Sequence, residues 1–533
     1  MMIRMKKAFV LLMIVTLTFS LIGCGSENSQ GERPSDELIL AVGGEPDDGF
    51  DPTTGWGRYG SPLFQSTLLA RDNNLKIIED LAAEYHISKD GLTWTFYLRD
   101  DVKFSDGEPL TGGDVVYTYE TAASSGSVVD LSVMESVKAI DEYTVEINLK
   151  KPQSTFVSVA ASLGIVPAHA HGTDYASNPI GSGPYKFVQW DKGQQLIVEA
   201  NENYYGAKPY FKKLTFLYLS EEAAYAAAKS GQADIVSISP QLASREVKGM
   251  KVLAVPSVDN RGISFPFIKA GRFTAEGIPV GNDVTSDLAI RKAVDIAVDR
   301  QALVDGILFG YGSKAYSVCD GLPWWNKDTV FEDGRIEEAA SILAEAGWVD
   351  EDQDGILEKD GIKAEFNLVY PAGDSIRQSL ALAVSDQMAP LGIKINLAGL
   401  SWDEIEARMY SDAVLFGWGS HDPLEMYNLY HSSTAGTGYY NTTYYQNPTA
   451  DGYMESALRA STEEEALEYW KKAQWDGESG FSSRGDVVWS WLVNLKHVYL
   501  VSEKLDLGQN RIEPHGHGWP LTANVQEWKR AEQ

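Results

Sequence analysis

The stretch GWGSHDPLEMYNLYHSS, Gly417 to Ser433, gathers two histidines, a tryptophan and two tyrosines into seventeen residues. Imidazole nitrogens ligate metals or move protons, and aromatic faces line pockets. The stretch therefore fits a metal site, a catalytic centre or the rim of a pocket that only binds. Asp422-Pro423-Leu424-Glu425 has the spacing of a helix start, with Asp at the N-cap, Pro at N1 and Glu at N3 as in a capping box. That makes Asp422 structural and leaves Trp418, His421 and Tyr427 as the groups able to face a ligand. His431, at the far end of the helix, is expected on the surface.

Other residues could contribute. Arg377 follows the turn Tyr370-Pro371-Ala372-Gly373-Asp374-Ser375. A guanidinium beside the free N–H groups of a helix start receives a carboxylate well; a solvent-facing salt bridge is the competing reading. Trp56, Arg58 and Tyr59 offer two aromatic faces and a cation, or form an ordinary aromatic turn. His515 and His517 form a His-x-His pair whose rings share one face of an extended segment, but two ligands fall short of a metal site. Asp350-Glu351-Asp352-Gln353-Asp354-Gly355 matches the first half of a calcium loop, yet position twelve is Gly361 where a bidentate glutamate is needed. It reads as a solvated turn. A secreted glycosidase, suggested by fourteen tryptophans and many carboxylates, is a remote alternative that would need two carboxylates across a cleft. There is no Gly-x-Ser-x-Gly elbow and no His-Glu-x-x-His.

The ends bound the setting. Arg4, Lys6 and Lys7 precede the apolar run Ala8–Ile22, too short for a comfortable bilayer span, and Leu21-Ile22-Gly23-Cys24 follows. This reads as a signal peptide over residues 1–23, and it resembles a bacterial lipobox, which implies lipidation of Cys24. Residues 24–36 read as a flexible tether. The only other cysteine is Cys319, so no disulfide is expected. A mature chain of about 510 residues is long enough for two or three domains. The formal charge of −30 becomes −33 once the signal leaves with its three basic residues. Such a surface argues against nucleic acid as a partner.

The elements that must position these groups alternate. Ser61–Ala70 reads as a helix, Leu92–Leu98 and Tyr143–Leu149 as strands, and Thr111–Thr121 as a helix, an α+β segment. After Gly172, strands are expected near 185, 195 and 210–217, then the helix Glu221–Ser230 and the strand Ala233–Ile238. Asp287–Leu308 reads as a helix pair, and residues 365–397 as a βαβ unit. Two α/β halves predict a ligand site in the cleft between them.

LTWTFYLRDDVKFSDGEPLTGGDVVYTYE (Leu92–Glu120), IGSGPYKFVQWDKGQQLIVEANENYYGAKP (Ile180–Pro209), AAYAAAKSGQADIV (Ala223–Val236), IRKAVDIAVDRQALVDGILFGYG (Ile290–Gly312) and YYQNPTADGYMESAL (Tyr444–Leu458) resemble the family 5 extracytoplasmic solute-binding proteins of dipeptide, oligopeptide and nickel ABC importers. The resemblance implies a type II periplasmic-binding-protein-like α/β fold with two lobes, a hinge and an extra inserted α+β domain. It places lobe I at 37–73, 173–261 and 502–533, the inserted domain at 74–172 and lobe II at 262–501. It implies capture and delivery to a permease pair driven by cytoplasmic ATPases, with no catalysis. The protein would be a lipid-anchored monomer on the outer face of the cell membrane.

Peptide-binding members hold the peptide ammonium with an aspartate in a longer Gly-Trp-x-x-Asp loop. Here the loop is shortened to Gly417–Pro423, and His421 stands where that aspartate has no counterpart. Arg377 stands near an arginine that dipeptide-binding relatives use for the peptide carboxylate. Nickel-binding relatives hold a chelator with arginines of the inserted domain, but the matching stretches here, Ala123–Leu131 and Thr155–Val166, contain none. An imidazole suits a borderline metal. The expected cargo is therefore nickel or a nickel chelate, with a short peptide as the alternative, and no cofactor is expected.

Overall fold

A computed structural model describes residues 34–60, 63–126, 128–516 and 518–532; the signal peptide, Cys24 and His517 lie outside them. A mixed eleven-stranded sheet runs in the order Lys394–Leu400, Glu365–Pro371, Ala413–Phe416, Met250–Ser264, Trp489–Ser502, Ile235–Ile238, Glu37–Ala41, Lys213–Leu217, Gln195–Ala200, Tyr185–Asp191. Gly312–Lys314 pairs with Trp489–Ser502 off this path. Met250–Ser264 and Trp489–Ser502 are the longest strands, 15 and 14 residues, and pair antiparallel. Their register shifts between Pro256 and Asn260, where proline withholds a ladder N–H.

Each half of this sheet buries its own core. One packs Leu40, Phe50, Tyr185, Phe216, Trp519 and Trp528. The other has helices on the sheet around Ile290, Phe366 and Leu380 and an aromatic cluster with Tyr430, Trp470 and Trp489. A separate four-stranded sheet, ordered Ala82–Ile87, Thr93–Leu98, Thr144–Leu149, Met134–Asp141, packs on the helix Gly112–Ser124 around Trp94, Phe96, Tyr119 and Phe156. Among the described residues no helix is long and apolar enough to cross a membrane.

Where local signals were strong the elements match. The alanine-rich run is the helix Glu221–Lys229, capped by the Ser220 side chain. The βαβ unit is Glu365–Pro371, Ser375–Met388 and Lys394–Leu400 with parallel strands. The helix expected over 61–70 is absent at 63–70: Leu69–Arg71 is a short strand paired with Ile77–Glu79. The backbone there spends its hydrogen bonds elsewhere. Phe64 O accepts from Gly183 N, Ser66 O from Ile165 N and Thr67 O from Leu81 N, so no i to i−4 ladder can form.

This crossing requires glycine at 181. A Cβ there would meet the Phe64 carbonyl oxygen at 2.0 Å and its carbon at 2.6 Å. Because backbone cannot yield as a side chain can, Gly181→Ala is expected to cost roughly 1–3 kcal/mol or more, read as a lower urea midpoint at unchanged slope.

Candidate functional site

A cavity of about 480 Å³ opens among segments from all parts of the fold. The segment after the first strand supplies Arg58, Tyr59 and Arg71. Residues near the small sheet add Asp80, Asp130 and Ser158, the loop before the helix Leu424–Tyr430 adds Ser420, His421 and Asp422, and the C-terminal segment adds Arg511, Ile512 and Glu513.

His421 is held by a short turn. Glu425 accepts from Gly419 N at 3.0 Å and from Ser420 N at 3.2 Å, while Asp422 Oδ1 caps Leu424 N at 2.9 Å. This corrects the capping box: Asp422 caps as expected, but Glu425 reaches past the cap to brace the turn, and the Asp422 N–H goes to Ser420 Oγ instead. The turn also leans on neighbours, through Asn260 N to Trp418 O and His515 N to Gly419 O, both 2.9 Å. Gly419 has φ +146°, and a Cβ there would meet Val258 O at 2.3 Å.

Burial sets the protonation of this turn. It pushes the His421 imidazole down to about 3, with the Arg71 charge adding to the effect, although a hydrogen bond to the Ile512 carbonyl opposes it. The ring is neutral at physiological pH, and its Nε2 has no hydrogen-bond partner among the described residues. Burial also lifts Asp422 to about 6 and Glu425 to about 8. An acid with a raised folded pKa loses stability as pH climbs from its unfolded to its folded value. For Glu425 that window runs from 4.5 to about 8. Glu425→Gln is expected to flatten the fall of Tm across this range, checked by scanning calorimetry at several pH values.

Three arginines line the cavity, and none is ion-paired to a carboxylate among the described residues. Arg71 donates to Leu75 O at 3.0 Å and Ser158 Oγ at 2.9 Å, and Ser158 in turn hydrogen-bonds Asp422. Arg511 keeps a buried Nε without a partner among the described residues. Burial lowers the pKa of Arg71 and of Arg511. Arg58 lies over the Tyr59 ring at 4.4 Å.

The remaining residues singled out from the sequence sit elsewhere. Trp56 packs edge-on against Phe50 at 4.9 Å and Trp519 at 5.1 Å, inside the aromatic core. Trp418 packs against the cluster containing Trp489. Leu424 and Asn428 line the cavity, whereas the Tyr427 ring stacks on His431 at 4.1 Å. His431 is buried, 6% exposed, which corrects the surface placement: its ring is covered by Tyr427, and Nδ1 meets Ser433 Oγ at 2.7 Å. Arg377 pairs with Asp374 at 2.5 Å and lies behind Gly417, whose Cβ position is 2.7 Å from Arg377 Nη2. Burial, then the charge of Arg261, lowers it to about 10. His515 Nδ1 meets Asp259 Oδ1 at 2.5 Å.

In the acidic turn, Asp350, Asp352, Asp354 and Glu358 converge. Lys363 Nζ is ion-paired there with Asp352 at 3.1 Å, with Glu358 at 3.3 Å and with Asp354. Arg71, Arg511 and Glu513 of the cavity went unread in the sequence. The one signal available was a lone Arg-Ile-Glu at 511–513 beside the His-x-His pair.

Two sheet halves joined by paired long strands, with a polar cavity walled by loops of both, are the anatomy of a type II periplasmic-binding-protein-like receptor. The comparisons agree. The profile described as bacterial extracellular solute-binding proteins, family 5 Middle, matches residues 76–441, and the chain belongs to this family. "Protein XP55" of Streptomyces lividans is 34% identical over 498 residues, covering 90% of this chain and 88% of that protein. The oligopeptide-binding protein AppA of Bacillus subtilis is 28% identical, covering 86% and 89%; its structure in complex with a nonapeptide is 25% identical with TM-score 0.71, covering 93% and 99%. NikZ of Campylobacter jejuni in complex with Ni(L-His) is 27% identical with TM-score 0.76, covering 93% and 100%. The protein is an extracytoplasmic solute-binding protein of the peptide/nickel class of ABC importers, and not an enzyme.

Proposed function

We propose that this protein captures nickel as a chelate in the cavity beside His421 and delivers it to an ABC permease pair served by cytoplasmic ATPases. It would work as a monomer tied to the outer face of the membrane by an acyl chain on Cys24. The observation that carries the nickel reading is the His421 imidazole, neutral down to a pH of about 3 with Nε2 unpartnered. A metal needs an unprotonated nitrogen, and borderline metals favour imidazole. Arg58, Arg71 and Arg511, without an ion pair among the described residues, suit the carboxylates of a chelating ligand. NikZ, which binds Ni(L-His), supports the same reading.

A short peptide is the second reading. Asp80 and Asp130 on the cavity wall favour it as acceptors for an ammonium, as does the nonapeptide held by AppA. Calorimetry separates the two. The purified protein is titrated with nickel, with nickel plus L-histidine, and with a mixed dipeptide pool. Saturable heat is expected with nickel plus histidine. Tight dipeptide binding without metal, and none of the chelate, would replace this reading with the second.

A further inference from the structure

Glu513 is 2% exposed and belongs to the cavity wall. Its backbone is fixed by the long strand, accepting from Val258 N at 2.8 Å and donating to Pro256 O at 2.9 Å. Its Oε2 is satisfied from behind, by His497 Nδ1 at 2.5 Å and by the Tyr499 hydroxyl at 2.8 Å. Its Oε1 has no hydrogen-bond partner among the described residues. A buried carboxylate oxygen without a donor is costly, because the water it lost has not been replaced. Other carboxylates at the wall differ. Asp80 receives the Tyr205 hydroxyl, and Asp130 is bonded by Ser132 N.

The position of Glu513 ties it to the cargo site. The preceding residue, Ile512, hydrogen-bonds the His421 ring through its carbonyl, and His515 N bonds Gly419 O. Segments 512–515 and 419–421 therefore run side by side, and Glu513 and His421 line the same cavity.

We infer that Glu513 is a cargo-binding residue whose Oε1 accepts a hydrogen bond from an amino group of the cargo, next to His421. The inference rests on the reading of this cavity as the cargo site and adds to it the class of ligand: a solute with an amino N–H. Charge-assisted bonds of this kind are short and directional. Two sources present such a group, an amino-acid chelate of nickel and the free amino end of a peptide, and they are separated by testing both.

The purified protein is titrated with nickel plus L-histidine and with nickel plus Nα,Nα-dimethyl-L-histidine, which keeps the nitrogen lone pair for the metal but has no N–H. In parallel it is titrated with alanyl-phenylalanine and with its N-trimethylated form. In the source that binds, methylation is expected to weaken affinity roughly tenfold or more. The Glu513→Gln variant, with folding checked by its Tm, should bind the unmethylated probe more weakly and lose little further on methylation. Equal affinity of the parent protein for both members of a pair overturns the inference. So does an equal loss on methylation in parent and variant, which assigns the effect to methyl bulk. Those two results leave the cargo reading standing. If neither parent probe binds, that reading fails and takes this inference with it.

Discussion

Asp259→Ala is expected to cost on the order of 3–5 kcal/mol of folding stability, the scale for removing one partner of a buried charge cluster. Asp259 is 3% exposed. It meets Arg261 Nη1 at 2.5 Å and His515 Nδ1 at 2.5 Å through Oδ1, and His497 Nε2 at 3.3 Å through Oδ2. Burial works to raise its pKa, but the charges of Arg261 and His515 outweigh it and hold it well below the usual range. Without the carboxylate, the Arg261 guanidinium is left beside that of Arg377, both within 2.7 Å of the Cβ position at Gly417. The damage falls where the long strands shift register, so unfolding in urea should show a lower midpoint. Asp259→Asn, which keeps shape and part of the hydrogen bonding, should lose less.

The same cluster sets an alkaline limit. Burial would lower His497, but hydrogen bonds to Asp259 and Glu513 raise it to about 9. A base with a raised folded pKa gives its full stability below the unfolded value, 6.5 here, and loses it as pH rises through about 9. The parent protein should therefore lose stability over that window. In Asp259→Ala the loss should begin at lower pH, since one of the two acceptors holding the proton is gone.

What could be read in the chain was what is local. Ser220 followed by an alanine-rich run makes a helix wherever it sits, and the alternation at 93–98 and 144–149 makes strands. The short turn at 417–422 was visible as a place for a ligand because its glycines and histidine are contiguous. The rest of the cavity is not contiguous. Arg71 ends a strand whose partners come from residues 77–79, and Arg511 reaches the cavity from the far end of the chain. Neither stands in a periodic pattern, so their meeting is a property of the topology. Arg377 shows the converse limit. The helix start was legible, but not that Asp374, three residues earlier, would take the guanidinium behind Gly417. His431 was misplaced because part of its cover is non-local: the helix Pro448–Arg459 brings Asp451 to 3.9 Å and Glu455 to 3.7 Å from its Nε2.

His421→Ala is expected to lower the affinity for nickel plus histidine on the order of a hundredfold, about 3 kcal/mol, while leaving any dipeptide binding within a few-fold. The argument is one of protonation. A histidine of ordinary pKa would be partly protonated just below neutral pH and would compete with the metal for its own lone pair. Here burial and the Arg71 charge remove that competition down to about 3, so the ring is ready to ligate without a proton to expel. The same depression has a cost that the variant should reveal. Between 6.5 and about 3 the unfolded chain takes up a proton at this position and the folded protein does not, so the parent loses stability as pH falls through that window. In His421→Ala that loss is absent, and its stability profile should be flatter on the acid side even as nickel affinity collapses. Lower affinity with an unchanged acid profile would mean that the ring is solvated and ordinary; a flatter profile with unchanged nickel affinity would mean that it is buried but no ligand.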